Sequence, residues 1–151
     1  MSEKKYKVTI SEGNITPEFV VMKEDKVIME CRELISNCTV GSKTAVVFRV
    51  VFGPGSEHSK HHHMNCDEIV YCLSGRGAEG IEDGDKKYQE YEYVPGVTIY
   101  VPRGTAHYTR NLDSFEPLVL IGFFPGVSGM DKKETGYESM EEITSSERVL
   151  R

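Results

Sequence analysis

The sequence predicts an all-β domain, a sandwich or a barrel, and three observations predict it. Val, Ile and Thr number 16, 9 and 9, against 3 Ala and 6 Leu. β-Branched side chains are stiff at χ1 and suit a pleated surface, whereas Ala and Leu are the strong helix formers. Apolar and polar residues alternate in short runs, and Gly, Pro and Asp-Gly turns separate those runs at regular spacing, as antiparallel β structure requires. The length of 151 residues is that of one domain, so 1–151 reads as a single unit.

Along the chain, Tyr6, Val8 and Ile10 alternate with polar neighbours, the pattern of a half-buried strand. Residues 26–35 and 43–52 read as two more. In the second, Ala45, Val47, Arg49 and Val51 share one face and Val46, Phe48, Val50 and Phe52 the other. Both sets are mostly apolar, so this strand is expected mid-sheet and covered on both sides. Gly53-Pro54-Gly55 breaks it. Further strands are expected at 61–64, 68–73 and 77–82, and Asp83-Gly84 is a tight-hairpin signal leading into 87–94. Pro95-Gly96 and Pro102-Arg103-Gly104 set off strands at 97–101 and 106–111, and 118–124 supplies the last. From Gly126 the composition turns polar and charged, so 126–151 reads as a tail. Within it Ser139 and Glu142 have capping-box spacing, and a short terminal helix and a frayed end both fit.

Lys and Arg total 18 against 24 Asp and Glu, a net charge of −6. That balance argues against nucleic acid and anionic membranes as partners. No run approaches the ~20 apolar residues of a membrane helix. The opening Met-Ser-Glu-Lys-Lys-Tyr-Lys lacks the apolar core of a signal peptide. Cys31, Cys38, Cys66 and Cys72 show no CxxC spacing, so reduced thiols in a cytoplasmic protein are expected.

Two clusters carry the chemistry. The first runs Gly55, His61, His63, Glu68, Gly75; the second runs Gly96, Pro102, Gly104, His107, Asn111. His61 and His63 lie two apart on a strand and share a face, which turns His62 to the other. Glu68 opening the next strand and His107 arriving from a separate hairpin can reach the same interior. Each residue alone has a plainer reading: a solvated His run, a hydrogen-bonded core histidine, a surface carboxylate. Jointly, three imidazoles and a carboxylate converging in a β interior make a metal site, because unpaired ionisable groups there are costly.

These clusters resemble the paired signature motifs of the cupin superfamily, G-x5-H-x-H-x(3,4)-E-x6-G and G-x5-P-x-G-x2-H-x3-N. All the fixed positions of both are present between Gly55 and Asn111. The resemblance implies a cupin-type β-barrel, or double-stranded β-helix (jelly roll), with its core at about 26–125. It implies one divalent metal ion per chain on His61, His63, Glu68 and His107. Gly55, Gly75, Gly96, Pro102 and Gly104 become turn residues, and Asn111 closes a structural hydrogen bond. Fe(II) or Mn(II) is favoured, and Zn(II), Ni(II) and Cu(II) also suit nitrogen and oxygen ligands. Four protein ligands on an octahedral ion leave two positions for a substrate chelating through two oxygens, or for one substrate atom and O2. The foremost expectation is a non-heme dioxygenase acting on a small molecule. The alternatives are a metal-dependent isomerase, lyase or decarboxylase, or a non-catalytic ligand-binding module.

Around the ligands, Val70 and Cys72 share the face of Glu68, with Cys72 read as a small buried filler. Thr109 shares the face of His107. Tyr100 and His58 are the acid–base candidates at the mouth. Arg49 and Arg32 either anchor a substrate carboxylate or pair with an acid on the outer face. Arg32, Val46, Phe48 and Val50 sit on strands apolar on more faces than one small barrel covers, so a homodimer packed sheet to sheet is expected.

Overall fold

The computed structural model describes residue 16, residues 18–140 and the backbone of residues 146–150. The strand expected at Tyr6, Val8 and Ile10 lies outside these residues, as does Glu142. In chain order the described elements open with β1 (Glu18–Lys23), β2 (Lys26–Ile35), the short helix α1 (Asn37–Val40), β3 (Ala45–Phe52) and β4 (Glu57–His63). They continue with β5 (Glu68–Ser74), β6 (Gly77–Glu82), β7 (Tyr88–Tyr93), β8 (Thr98–Val101) and β9 (His107–Asn111). Last come β10 (Leu118–Pro125), the helical turn α2 (Lys132–Thr135), β11 (Tyr137–Ser139) and β12 (Ser146–Leu150). A seven-stranded sheet in the order β12-β1-β2-β3-β10-β5-β8 stands against a five-stranded sheet in the order β11-β4-β9-β6-β7. The described strand pairs are antiparallel, and the fold is a jelly roll.

The core follows the alternation of each strand. Val46, Phe48, Val50 and Phe52 of β3 are buried with Val70 and Cys72 of β5 and Leu118, Leu120 and Phe124 of β10. The Phe48 ring lies over Gly122 on the adjacent strand, where an added Cβ would fall inside the ring. β3 does run mid-sheet, between β2 and β10. Its second face, however, is not covered: Ala45, Val47 and Val51 are half-buried and Arg49 is exposed. The barrel has one interior, and that face looks outward. For the same reason Val46, Phe48 and Val50 are core residues and offer nothing to a partner. Arg32 is held on the outer side by Glu18 at 2.7 Å and by the Thr16 carbonyl at 2.7 Å.

The segment read as a polar tail carries structure, α2 and β11 up to Ser139 and β12 at Ser146–Leu150 beside β1. Asp131 caps α2, its side chain accepting from the Glu134 amide, and Gly136 ends the turn in the left-handed region at φ 68. β11 then adds to the edge of the five-stranded sheet beside β4. Ser139 closes that strand, and the rest of the capping-box segment lies outside the described residues. Backbone pairing holds this segment, and it needs no apolar alternation that a reader of the sequence could see. No helix among the described residues is long and apolar enough to cross a membrane.

Candidate metal centre

β4 and β9 place His61 directly opposite His107, and β4 carries His63 two residues on. Glu68 opens β5 in the facing sheet. The ring centroids are 4.3 Å apart for His61–His107, 5.1 Å for His61–His63 and 5.6 Å for His63–His107. One ligand atom from each of the four side chains lies within 4.8 Å of all the others, so the group could hold a metal ion. All three histidines are buried.

Backbone carbonyls orient two of the rings. His61 Nδ1 sits 2.7 Å from the Ser59 carbonyl, and His107 Nδ1 sits 2.8 Å from the Thr105 carbonyl. A carbonyl only accepts, so each Nδ1 carries the proton and each Nε2 keeps a lone pair for the centre. Glu68 Oε2 lies 3.0 Å from His63 Nε2 and 3.4 Å from His107 Nε2. Glu68 Oε2 and His107 Nε2 are buried without a hydrogen-bond partner among the described residues. Two orphaned ligand atoms, within a group of three imidazoles and a carboxylate that face one another, fit a divalent cation.

The charges of His61 and Glu68 suit that fit, and a metal at His107 would displace a proton. Burial, helped by the His58, His107 and His63 rings, holds His61 well below the ordinary histidine value, which keeps it neutral. Burial works to raise Glu68, but the His107 and His63 contacts outweigh it and keep the carboxyl well below its usual range. Burial also works to lower His107, and the Glu68 carboxylate beside it overturns that and raises it.

The other singled-out residues are dispersed. His58 lines the cavity, with its ring 4.3 Å from that of His61. Strict alternation would turn His58 and His61 to opposite faces. A bulge in β4 between them, facing Thr109 and His107, restores both to the interior. Thr109 lines the cavity, and Val70 and Cys72 point inward from β5 with Glu68. His62 faces away, Nε2 being 2.8 Å from Glu138. Tyr100 stands on the outer face of β8, 55% exposed and hydrogen-bonded to Asp67. Arg49 is exposed on the outer face of β3, beside Arg32. Asn111 donates to the Phe52, Gly53 and Glu116 carbonyls at the end of β9. The four cysteines are free thiols, Cys38 exposed and the rest buried.

Two residues escaped the sequence reading. Glu79 on β6 is fully buried behind the ligands, accepting from Tyr93 at 3.0 Å and Thr109 at 2.8 Å. Its inward parity with Ile81 was the available signal. Tyr137 on β11 reaches the cavity from the segment read as a tail.

Fold, candidate ligand set and motifs together define a jelly roll with a group that could hold a metal ion. Residues 48–124 match the Cupin domain family, and the chain belongs to that family. It is similar to oxalate decarboxylase OxdC of Bacillus subtilis, 32% identical over 83 residues that make up 55% of this chain and 21% of that protein. It is also similar to acireductone dioxygenase of Bacillus cereus, 41% identical over 49 residues, 32% of this chain and 29% of that protein. A solved oxalate decarboxylase structure superposes with a TM-score of 0.65 at 24% identity, covering 79% of this chain and 30% of that one. The chain thus spans under a third of each of these relatives.

Proposed function

We propose that this chain is a metal-dependent small-molecule enzyme, a non-heme dioxygenase acting on a substrate that chelates through oxygen. The observation that carries the reading is the buried convergence of His61, His63, Glu68 and His107. The four side chains would hold one Fe(II) or Mn(II), which supplies Lewis acidity and, as iron, a route to O2. The Ser59 and Thr105 carbonyls fix two of the ligand rings before substrate arrives, so little reorganisation remains. The cavity wall beyond the ligands is chiefly apolar. His58 and the Thr109 hydroxyl, both on that wall, are the groups within reach of a bound substrate's protons. Similarity to acireductone dioxygenase supports the oxygenase reading, and similarity to oxalate decarboxylase supports a lyase as the second.

The test loads the protein anaerobically with Fe(II), or separately with Mn(II), Zn(II) or Ni(II). It then offers catechols, β-diketones, oxo acids and sugar acids with and without air. O2 consumption with one of them supports the dioxygenase. Turnover without O2 moves the assignment to isomerase or lyase. A ligand-induced change at the metal with no turnover leaves a binding module. We also propose a homodimer formed through the outer face of the seven-stranded sheet. Val47, Phe123, Ile69 and Tyr100 form one cross-strand row there, next to Ile121 and Tyr71.

A further inference from the structure

The wall of the cavity differs sharply from its metal-binding end. Beyond the four ligands it is built chiefly of apolar and aromatic side chains, among them Met29, Phe48, Phe52, Leu120, Phe124 and Tyr137. No Lys or Arg lines it among the described residues. Among the described residues Arg32 pairs with Glu18, Arg76 with Glu92 and Arg110 with Glu90, while Arg49 and Arg103 are exposed. A buried carboxylic acid lies behind the ligands without joining them. Glu79 is fully buried and takes the Thr109 hydroxyl as a donor.

Charge arithmetic then limits the ligand. A divalent ion with the Glu68 carboxylate leaves one net positive charge, and any ionisation of Glu79 reduces it. A singly charged ligand brings the centre to neutrality while Glu79 keeps its proton and to one negative charge once Glu79 ionises, and a dianion is one charge worse in either case. A compact dianion overshoots, leaving a negative charge in an apolar cavity with no cation to meet it, and such burial is strongly disfavoured.

On the metal-dependent reading above, we infer that the site selects a monoanionic two-oxygen chelate bearing an apolar body, an enolised β-diketone or a singly ionised catechol, and disfavours compact dianions such as oxalate. The class follows from this chain's own wall and departs from what the name of its relative oxalate decarboxylase would suggest.

The experiment loads full-length, untagged protein with Mn(II) and measures its metal content first. Calorimetric titrations at about pH 8 then compare benzoylacetone, a β-diketone with a phenyl body, with oxalate, which chelates Mn(II) in water unaided. The expected result is tighter binding of benzoylacetone by about tenfold or more. Phe19→Arg places a cation on the wall from a half-buried position, where a long basic side chain is tolerated. It should narrow the preference by about threefold or more, while Phe19→Gln leaves it in place. Melting curves and metal content confirm that both variants fold and load. Oxalate binding as tightly as the diketone, or neither ligand binding to metal-replete protein, overturns the inference. Protein that takes up no metal overturns the metal reading itself, and this inference with it.

Discussion

Glu79 is a buried acid with uneven hydrogen bonding. Tyr93 and Thr109 both donate to Oε2, and Oε1 is buried without a partner. Burial, and to a lesser degree the Glu68 charge, pushes its carboxyl from 4.5 up to about 7. Between those values the folded chain keeps a proton that the unfolded chain has lost. Stability therefore falls as pH rises through that window, and above it the fold carries the whole difference, about 3 kcal/mol. Glu79→Gln keeps an acceptor for Tyr93 and Thr109 and cannot ionise. Chemical denaturation of the metal-free protein should find the variant more stable by roughly 1–3 kcal/mol at about pH 8, with the gap closing near pH 5. A gap independent of pH would mean that folding leaves the Glu79 carboxyl at its ordinary value.

Asn111 acts on the scale of elements. Its amide lies 3.2, 3.1 and 2.8 Å from the carbonyls of Phe52, Gly53 and Glu116, and its Oδ1 accepts from the Asp113 amide at 2.9 Å. One side chain thereby ties the end of β9 to the end of β3 and to the connection into β10. Asn111→Ala strands those groups and should lower stability by about 1–3 kcal/mol, read as a lower urea midpoint at unchanged slope. Elements whose register follows apolar alternation, such as β3, β5 and β10, were legible in the sequence. So were the metal-site candidates, through their spacing on β4, β5 and β9. β1 was not legible, because its hairpin to β2 turns through Glu24 and Asp25 at φ 50 and 60 with no glycine to mark it. The inward turn of His58 was hidden by the bulge, which breaks the parity that a reader counts. β11 was hidden because its tie to β4 is made by backbone pairing.

At the scale of the whole molecule, the seven-stranded sheet presents Val47, Ile121, Phe123 and Ile69 half-buried, with Tyr71 43% and Tyr100 55% exposed beside them. An apolar sheet face of this kind suits a two-fold partner. Sedimentation at micromolar concentration should find a dimer. Ile121→Glu, on the outer face, should give a folded monomer with an unchanged far-UV spectrum. A native monomer at that concentration would remove the dimer proposal and leave the metal centre intact, since the four ligands all come from one chain.

Elemental analysis of untagged protein tests the central claim most directly. One divalent ion per chain is expected in the native protein and in His62→Ala, whose ring faces Glu138. His107→Ala should keep its β spectrum and lose metal affinity by more than the roughly 10–100-fold that supporting hydrogen-bond partners contribute. Native protein that binds no metal, or a His62→Ala variant that loses it while His61→Ala retains it, would contradict the account.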